Sequence, residues 1–154
     1  MIAHAIAPVH ITVWGKPEPK GSPRILRLPD GTPKPIEREA QVAWQETVAW
    51  QARAAMGIRP VLQGPVWAGV LFVLRHPKRP KHDLPIVPPD LDKLARSFLD
   101  GCRRIVLSDD ALVTDLHVWK RYTDGLSRTI GILRSVSEND ALPDEFDLSG
   151  GMVR

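Results

Sequence analysis

Residues 66–74, VWAGVLFVL, carry no polar side chain, are rich in β-branched and aromatic residues, and begin right after Gly64-Pro65. Such a run reads as an interior strand, which needs a paired neighbour on each side. VHITVW at 9–14 alternates apolar and polar side chains and reads as a first strand. ALVTDLHVWKRY at 111–122 alternates well enough for another strand, with 126–133 as its hairpin partner across Asp124-Gly125. Two segments have helical character. Residues 37–56, EREAQVAWQETVAWQARAAM, end at Gly57 and Pro60, with Val42, Ala43, Ala49 and Trp50 as the expected buried stripe and Trp44 off its centre. The second helix begins near Asp92 and ends at Gly101 or one turn on, through Cys102. Its apolar face is Leu91, Leu94, Ala95, Phe98 and Leu99, spaced i, i+3, i+4, i+7, i+8. RRIVLSDD at 103–110 reads as a short strand or turn. The predicted order β-α-β-α-β-β implies an α+β fold, one domain with two helices packed on a mixed sheet.

With 154 residues and 43% hydrophobic content, the chain suits one domain rather than two. Eleven of the fifteen prolines fall in two loops, 15–35 and 75–89, and the loops also collect basic side chains. The net charge of +3 is unevenly spread: residues 135–154 hold five acids against Arg154 alone, a local −4, so residues 1–134 carry +7. A body this basic suits a polyanion, because neutralised phosphates release condensed counterions. The last twenty residues, without periodicity, read as a mobile acidic tail. Cys102 is the single cysteine, which excludes a disulfide framework and a thiolate metal knuckle. The five histidines lack ligand spacing for zinc. No stretch has the length and apolarity of a membrane span, and residues 1–14 do not have the pattern of a secretory signal. The expectation is a cytoplasmic protein with no membrane association.

PPDLDKLARSFLDG at 88–101 places Asp90 and Asp92 one residue apart at a helix entrance. One aspartate would suffice as a cap. On a helix, positions i and i+2 lie about 200° apart, but in an extended segment they point to one side. The prolines bias the chain toward extended geometry up to Asp90, so both carboxylates can converge beside the helix N-terminus. Two such carboxylates repel unless a cation lies between them, and hard divalent ions take oxygen ligands. SDDALV adds Asp109 and Asp110. The metal reading competes with a cap followed by a turn. Carboxylate-held metal would serve phosphodiester hydrolysis, with Lys93 and Arg96 close enough to contact the phosphate.

PDLDKLARSFLDG followed by VLSDDALVTDLHVWK resembles the acidic signature of the RusA-type Holliday junction resolvases, small phage and bacterial endonucleases of DNA recombination and repair. GKPEPKGSPR is similar to the Pro- and basic-rich loop after their first strand. The resemblance spans about residues 10–133, within a domain taken as 1–134. It implies a homodimeric endodeoxyribonuclease that cuts two strands of a four-way junction symmetrically, using Mg²⁺ or Mn²⁺ and no nucleotide cofactor. Metal ligands carry over onto Asp90, Asp92 and Asp110, with Asp109 as a neighbour. The family's active-site lysine falls on Arg96, which keeps the charge but hardly deprotonates. Lys93 replaces the usual asparagine.

Backbone contacts to DNA are expected from Lys16, Lys20, Arg24 and Arg27 in the first loop, from Arg75, Lys78, Arg79 and Lys81 in the second, and from Lys120. Asp100 reads as a surface or C-terminal helix residue. Asp115 lies either near the acidic cluster or on an exposed strand face, and the five tryptophans are assigned mostly to the core. Two rival functions remain: a non-catalytic, structure-selective DNA-binding protein of the same fold, and a carboxylate enzyme such as a glycosidase, against which the basic loops argue.

Overall fold

The computed structural model of the chain describes residues 7–137 and Asp140. Most of the acidic tail expected over 135–154 therefore lies outside the described residues. Six elements follow the expected order: β1 (Val9–Trp14), then α1 (Glu39–Met56), β4 (Val66–Arg75), α2 (Leu91–Cys102), β5 (Val113–Thr123) and β6 (Arg128–Ser135). Between β1 and α1 the proline-rich loop folds into a two-stranded hairpin of its own, β2 (Arg24–Arg27) and β3 (Pro33–Ile36). Pro29, Pro33 and Pro35 hide any alternation here, so the strand pair is not legible in the sequence. Asp30 and Gly31 close the turn, where the Asp30 carboxylate accepts from the Thr32 N–H at 2.9 Å.

The main sheet has the order β1-β6-β4-β5, with β4 parallel to β5 and antiparallel to β6. The apolar run at 66–74 is thus an interior strand, as its composition requires. The expected β5–β6 hairpin is not formed. Residues 124–127 instead arch over the end of β4, so that β6 pairs on its far side with β4 and β1. The Arg75 N–H donates to Ser127 Oγ at 2.9 Å, and the Gly15 N–H to the Ser127 carbonyl at 2.9 Å, which pins the arch in place. A short turn signal announces a reversal of direction; it does not say which edge the returning strand takes.

Both helices cover one face of this sheet. From it Val9, Ile11, Val13, Val66, Ala68, Val70, Phe72 and Leu133 meet Leu94, Phe98 and Cys102 of α2 and Trp44, Val48 and Ala52 of α1 in one core. The buried stripe of α1 is Gln41, Trp44, Val48, Ala52 and Met56, not Val42, Ala43, Ala49 and Trp50. Alanine, valine and tryptophan occur all round this helix, so periodicity alone could not select the face. Trp50 is 69% exposed, with the Arg53 guanidinium 5.5 Å from its ring centre. Trp14 and Trp119 are exposed as well, so of the five tryptophans only Trp44 is buried. Helix α2 buries the predicted face and runs through Gly101 to Cys102. Burial pushes the Cys102 thiol far above its ordinary pKa, leaving it unreactive.

Two glycines set how closely α2 approaches its neighbours. A side chain on Gly131 would collide with the Phe98 ring, and one on Gly101 would lie 2.7 Å from Val48 Cβ and 3.0 Å from the Gln45 carbonyl oxygen. Gly101→Ala should therefore lower stability in urea unfolding: overpacking costs about 1–3 kcal/mol, more than the ~1 kcal/mol alanine gains in helix propensity.

Candidate active site

Helix α2 starts at Leu91, and Asp90 is its N-cap residue in extended geometry (φ −67°, ψ 138°). The chain thus arrives at Asp90 extended, as expected, but Asp92 already belongs to the first helical turn. The two carboxylates consequently have different surroundings. Asp92 lines a groove of about 600 Å³ together with Arg96, one turn further on, and Asp110. Asp90 turns to Lys93, whose Nζ donates to Oδ2 at 2.7 Å. That hydrogen bond, then the Lys93 charge, then the Lys120 charge, hold the Asp90 carboxyl below the usual carboxylate range. The same pairing raises Lys93 above the ordinary lysine range.

Asp110 reaches the groove by a tight return of the chain. After Cys102, Arg104 adopts the left-handed φ of 64° and its N–H donates to the Leu107 carbonyl at 2.7 Å. The chain then turns through a single 3₁₀ turn, Asp110–Leu112, into β5. Asp109 caps that turn, accepting from the Ala111 N–H at 2.9 Å, and its other oxygen accepts from Arg103 at 2.9 Å. The Ala111 N–H, the neighbouring Asp110 carboxyl and Arg103 depress its pKa. Side chains alternate along β5, so Leu116 and Val118 form the apolar floor of the groove while Asp115, His117 and Trp119 face the other side of the sheet. Asp115 is therefore not part of the acidic cluster.

Donor chemistry fits a hard divalent cation, since the groove offers two carboxylates and no sulfur or imidazole. Among the described residues, however, no three His, Cys, Asp or Glu side chains already stand together as a ligand set. Asp90 is paired with Lys93, and Asp109 with Arg103.

The basic residues divide into two groups. Arg24 and Arg27 lie on the exposed β2–β3 hairpin, and Arg75, Lys78, Arg79 and Lys81 lie exposed around the second loop. Lys16 is exposed, with Glu18 no closer than 4.0 Å. Lys20 and Lys120, expected on DNA, instead have their ammonium groups engaged within the protein. Lys20 Nζ pairs with Asp100 at 2.5 Å, and its N–H donates to the Lys93 carbonyl at 3.0 Å, tying the first loop to α2. Asp100 thus lies in the last turn of α2, one of its two expected places, and is a mostly covered anchor and not a surface residue. Lys120 Nζ donates to the carbonyls of Val87 at 3.1 Å and Pro89 at 2.9 Å, fastening the segment that delivers Asp90. Sequence reasoning missed Arg38, the N-cap of α1, whose charge lies near Lys93 and whose guanidinium flanks Gly21. The hairpin that carries Arg24 and Arg27 therefore begins and ends beside the first turn of α2. Nothing in a lone arginine between loop and helix would have flagged it.

A family model for the endodeoxyribonuclease RusA matches residues 15–131. The chain belongs to the RusA endodeoxyribonuclease family. Its members act on branched DNA and resolve Holliday junctions. No curated protein matches the chain. The match ends within β6, before Asp140, and so leaves out the pair in which Arg134 holds Asp140 through two bonds of 2.7 Å each. The RusA match covers every acidic and basic residue discussed for the groove. Among the described residues no helix is long and apolar enough to cross a membrane.

Two outcomes are expected of the fastening pairs. Asp100→Ala should cost about 1.5–3 kcal/mol, the range for a hydrogen bond to a charged group, measured by urea unfolding. In an NMR titration Asp90 should protonate below the unperturbed 3.8, and Lys93→Met should return it toward that value. Because folding lowers this pKa, the contribution of the pair is complete above pH 3.8 and is lost as pH falls through the lower folded value.

Proposed function

We propose that this chain is a divalent-metal-dependent nuclease that resolves four-way DNA junctions by paired, symmetric incision. The observation that carries the reading is the meeting of Asp92, Arg96 and Asp110, from two separate elements, in one groove. Asp90, Asp92 and Asp110 would hold Mg²⁺ or Mn²⁺, with Asp109 a less available neighbour because Arg103 and the 3₁₀ turn engage it. When bound, the ion supplies Lewis-acid stabilisation of the phosphoryl group and a more acidic water. Arg96 binds the scissile phosphate from the groove wall and offsets charge in the transition state with its fork of N–H donors. A guanidinium is a poor proton shuttle, so no proton-transfer role falls to it. Lys93 stands at the edge, able to exchange Asp90 for phosphate when DNA enters. Arg24 and Arg27 on the hairpin and the second basic loop hold the arms. A homodimer suits a junction with two symmetry-related strands, one acidic groove serving each. A protein acting this way on chromosomal or phage DNA would work in the cytoplasm.

A second reading is favoured by the internal pairing of Asp90 and Asp109: junction binding without incision. A synthetic four-way junction with Mn²⁺, with and without chelator, separates the two. Chelator-sensitive, symmetric nicks support the nuclease, whereas shifted mobility without nicks supports the binder. Asp92→Asn and Asp110→Asn should each lower cleavage roughly a thousandfold or more with junction affinity kept, since affinity rests on the cations. Arg96→Ala should lower it further than Arg96→Lys. Cleavage undiminished in Asp92→Asn would refute the assignment.

A further inference from the structure

Val87, Pro88 and Pro89, the residues that deliver Asp90, also wall a second pocket of about 420 Å³. That volume lies in the range of small-ligand sites. Its other apolar walls include Leu74, Pro85 and Tyr122, and its charged residues are Lys16 and Arg75, with no acid among the lining. The walls are fixed. Tyr122 stacks on His76 with centroids 4.4 Å apart, and Lys120 clamps the Val87 and Pro89 carbonyls to β5. An occupant must therefore present a flat or apolar body to proline and tyrosine and negative charge to two exposed cations. An uncharged occupant would meet the first demand and leave the second unanswered. A nucleotide meets both, because a base stacks on such walls without needing directional partners while its phosphates meet the cations.

We infer that this pocket receives an unpaired base from the branch point, next to the phosphate held in the acidic groove, with Lys16 and Arg75 on its flanking phosphates. The inference rests on the nuclease reading of that groove. Bases at a branch point have the least stacking to lose. Since Val87–Pro89 is shared between the pocket and the approach to Asp90, seating the base fixes which phosphate comes to Asp92 and Asp110. The pocket thereby selects the cutting position.

A fluorescent adenine analogue, placed in turn at each branch-point nucleotide of a four-way junction, tests this with chelator present so that nothing is cut. Binding of the protein should change the emission at least about twofold at one symmetry-related pair of positions, as the probe leaves its stack. Val87 is 48% exposed, so Val87→Trp fills the pocket from the surface without disturbing the core. That variant should lose the emission change, and Tyr122→Leu should reduce it. Junction affinity should stay within about threefold, because the cost of unstacking nearly cancels the new contacts. With Mn²⁺ added, Val87→Trp should cut at least about tenfold more slowly or lose its preference among positions. No responding position, or a response that survives both variants, overturns the pocket. A wild-type protein that takes up the base but never cuts would sink the nuclease reading alone.

Discussion

Helix α2 rests where it does because Gly131 leaves the sheet surface open for the Phe98 ring and Gly101 admits Val48 of α1. That seating decides where the first turn of α2 stands relative to β5. Leu94, Phe98 and Cys102 are fully buried, so the opposite, polar flank has no freedom to rotate. Asp92 and Arg96, one helical turn apart, must then look across at the start of β5. The left-handed turn at Arg104 and the Asp109-capped 3₁₀ turn bring Asp110 back to the same place. The groove is a consequence of packing, with the acids carried on its rim.

Electrostatics sorts the acids further. Four aspartates in two short segments would repel one another strongly if all were ionised and free. Asp90 is matched by Lys93 and Asp109 by Arg103 and a backbone N–H, leaving Asp92 and Asp110 to face the groove beside Arg96. Lys120 acts on the same arrangement from the other end, holding the carbonyls just before Asp90. Its position follows from the alternation of β5: Leu116, Val118 and Lys120 share the helix-side face. Strand β5 thus provides the floor of the groove and the clamp of the opposing segment, and the 3₁₀ turn that leads into it provides the return carboxylate.

The other face of the sheet has a different character. His117 lies between Trp67 and Trp119, at centroid distances of 5.2 and 6.2 Å, and the Arg134 guanidinium stands 4.5 Å from the Trp67 ring centre. Asp115 belongs to this side, which is why its proximity in sequence to Asp110 counts for nothing in the groove.

Local rules were enough for much of this protein. The apolar run at 66–74 had to be an interior strand, the i, i+3, i+4 spacing of 91–99 had to bury one face of a helix, and the prolines biased the approach to Asp90 toward extended geometry. The acidic signature, read as a motif, pointed to the family that the chain proves to belong to. Each of these depends on neighbours in the chain, and a sequence displays neighbours directly. Other features depended on what meets across the fold. An alanine-rich α1 could have buried either flank until the sheet chose Trp44 and Val48. Two strands joined by a turn could have paired until β4 took one on each edge. Lys20 and Lys120 were indistinguishable from DNA-binding lysines until Asp100 and two carbonyls came within reach. Partner choice among long, flexible charged side chains is made by distances that exist only once the chain has folded, so the sequence could name the participants in the site while the tertiary structure alone assigned their partners.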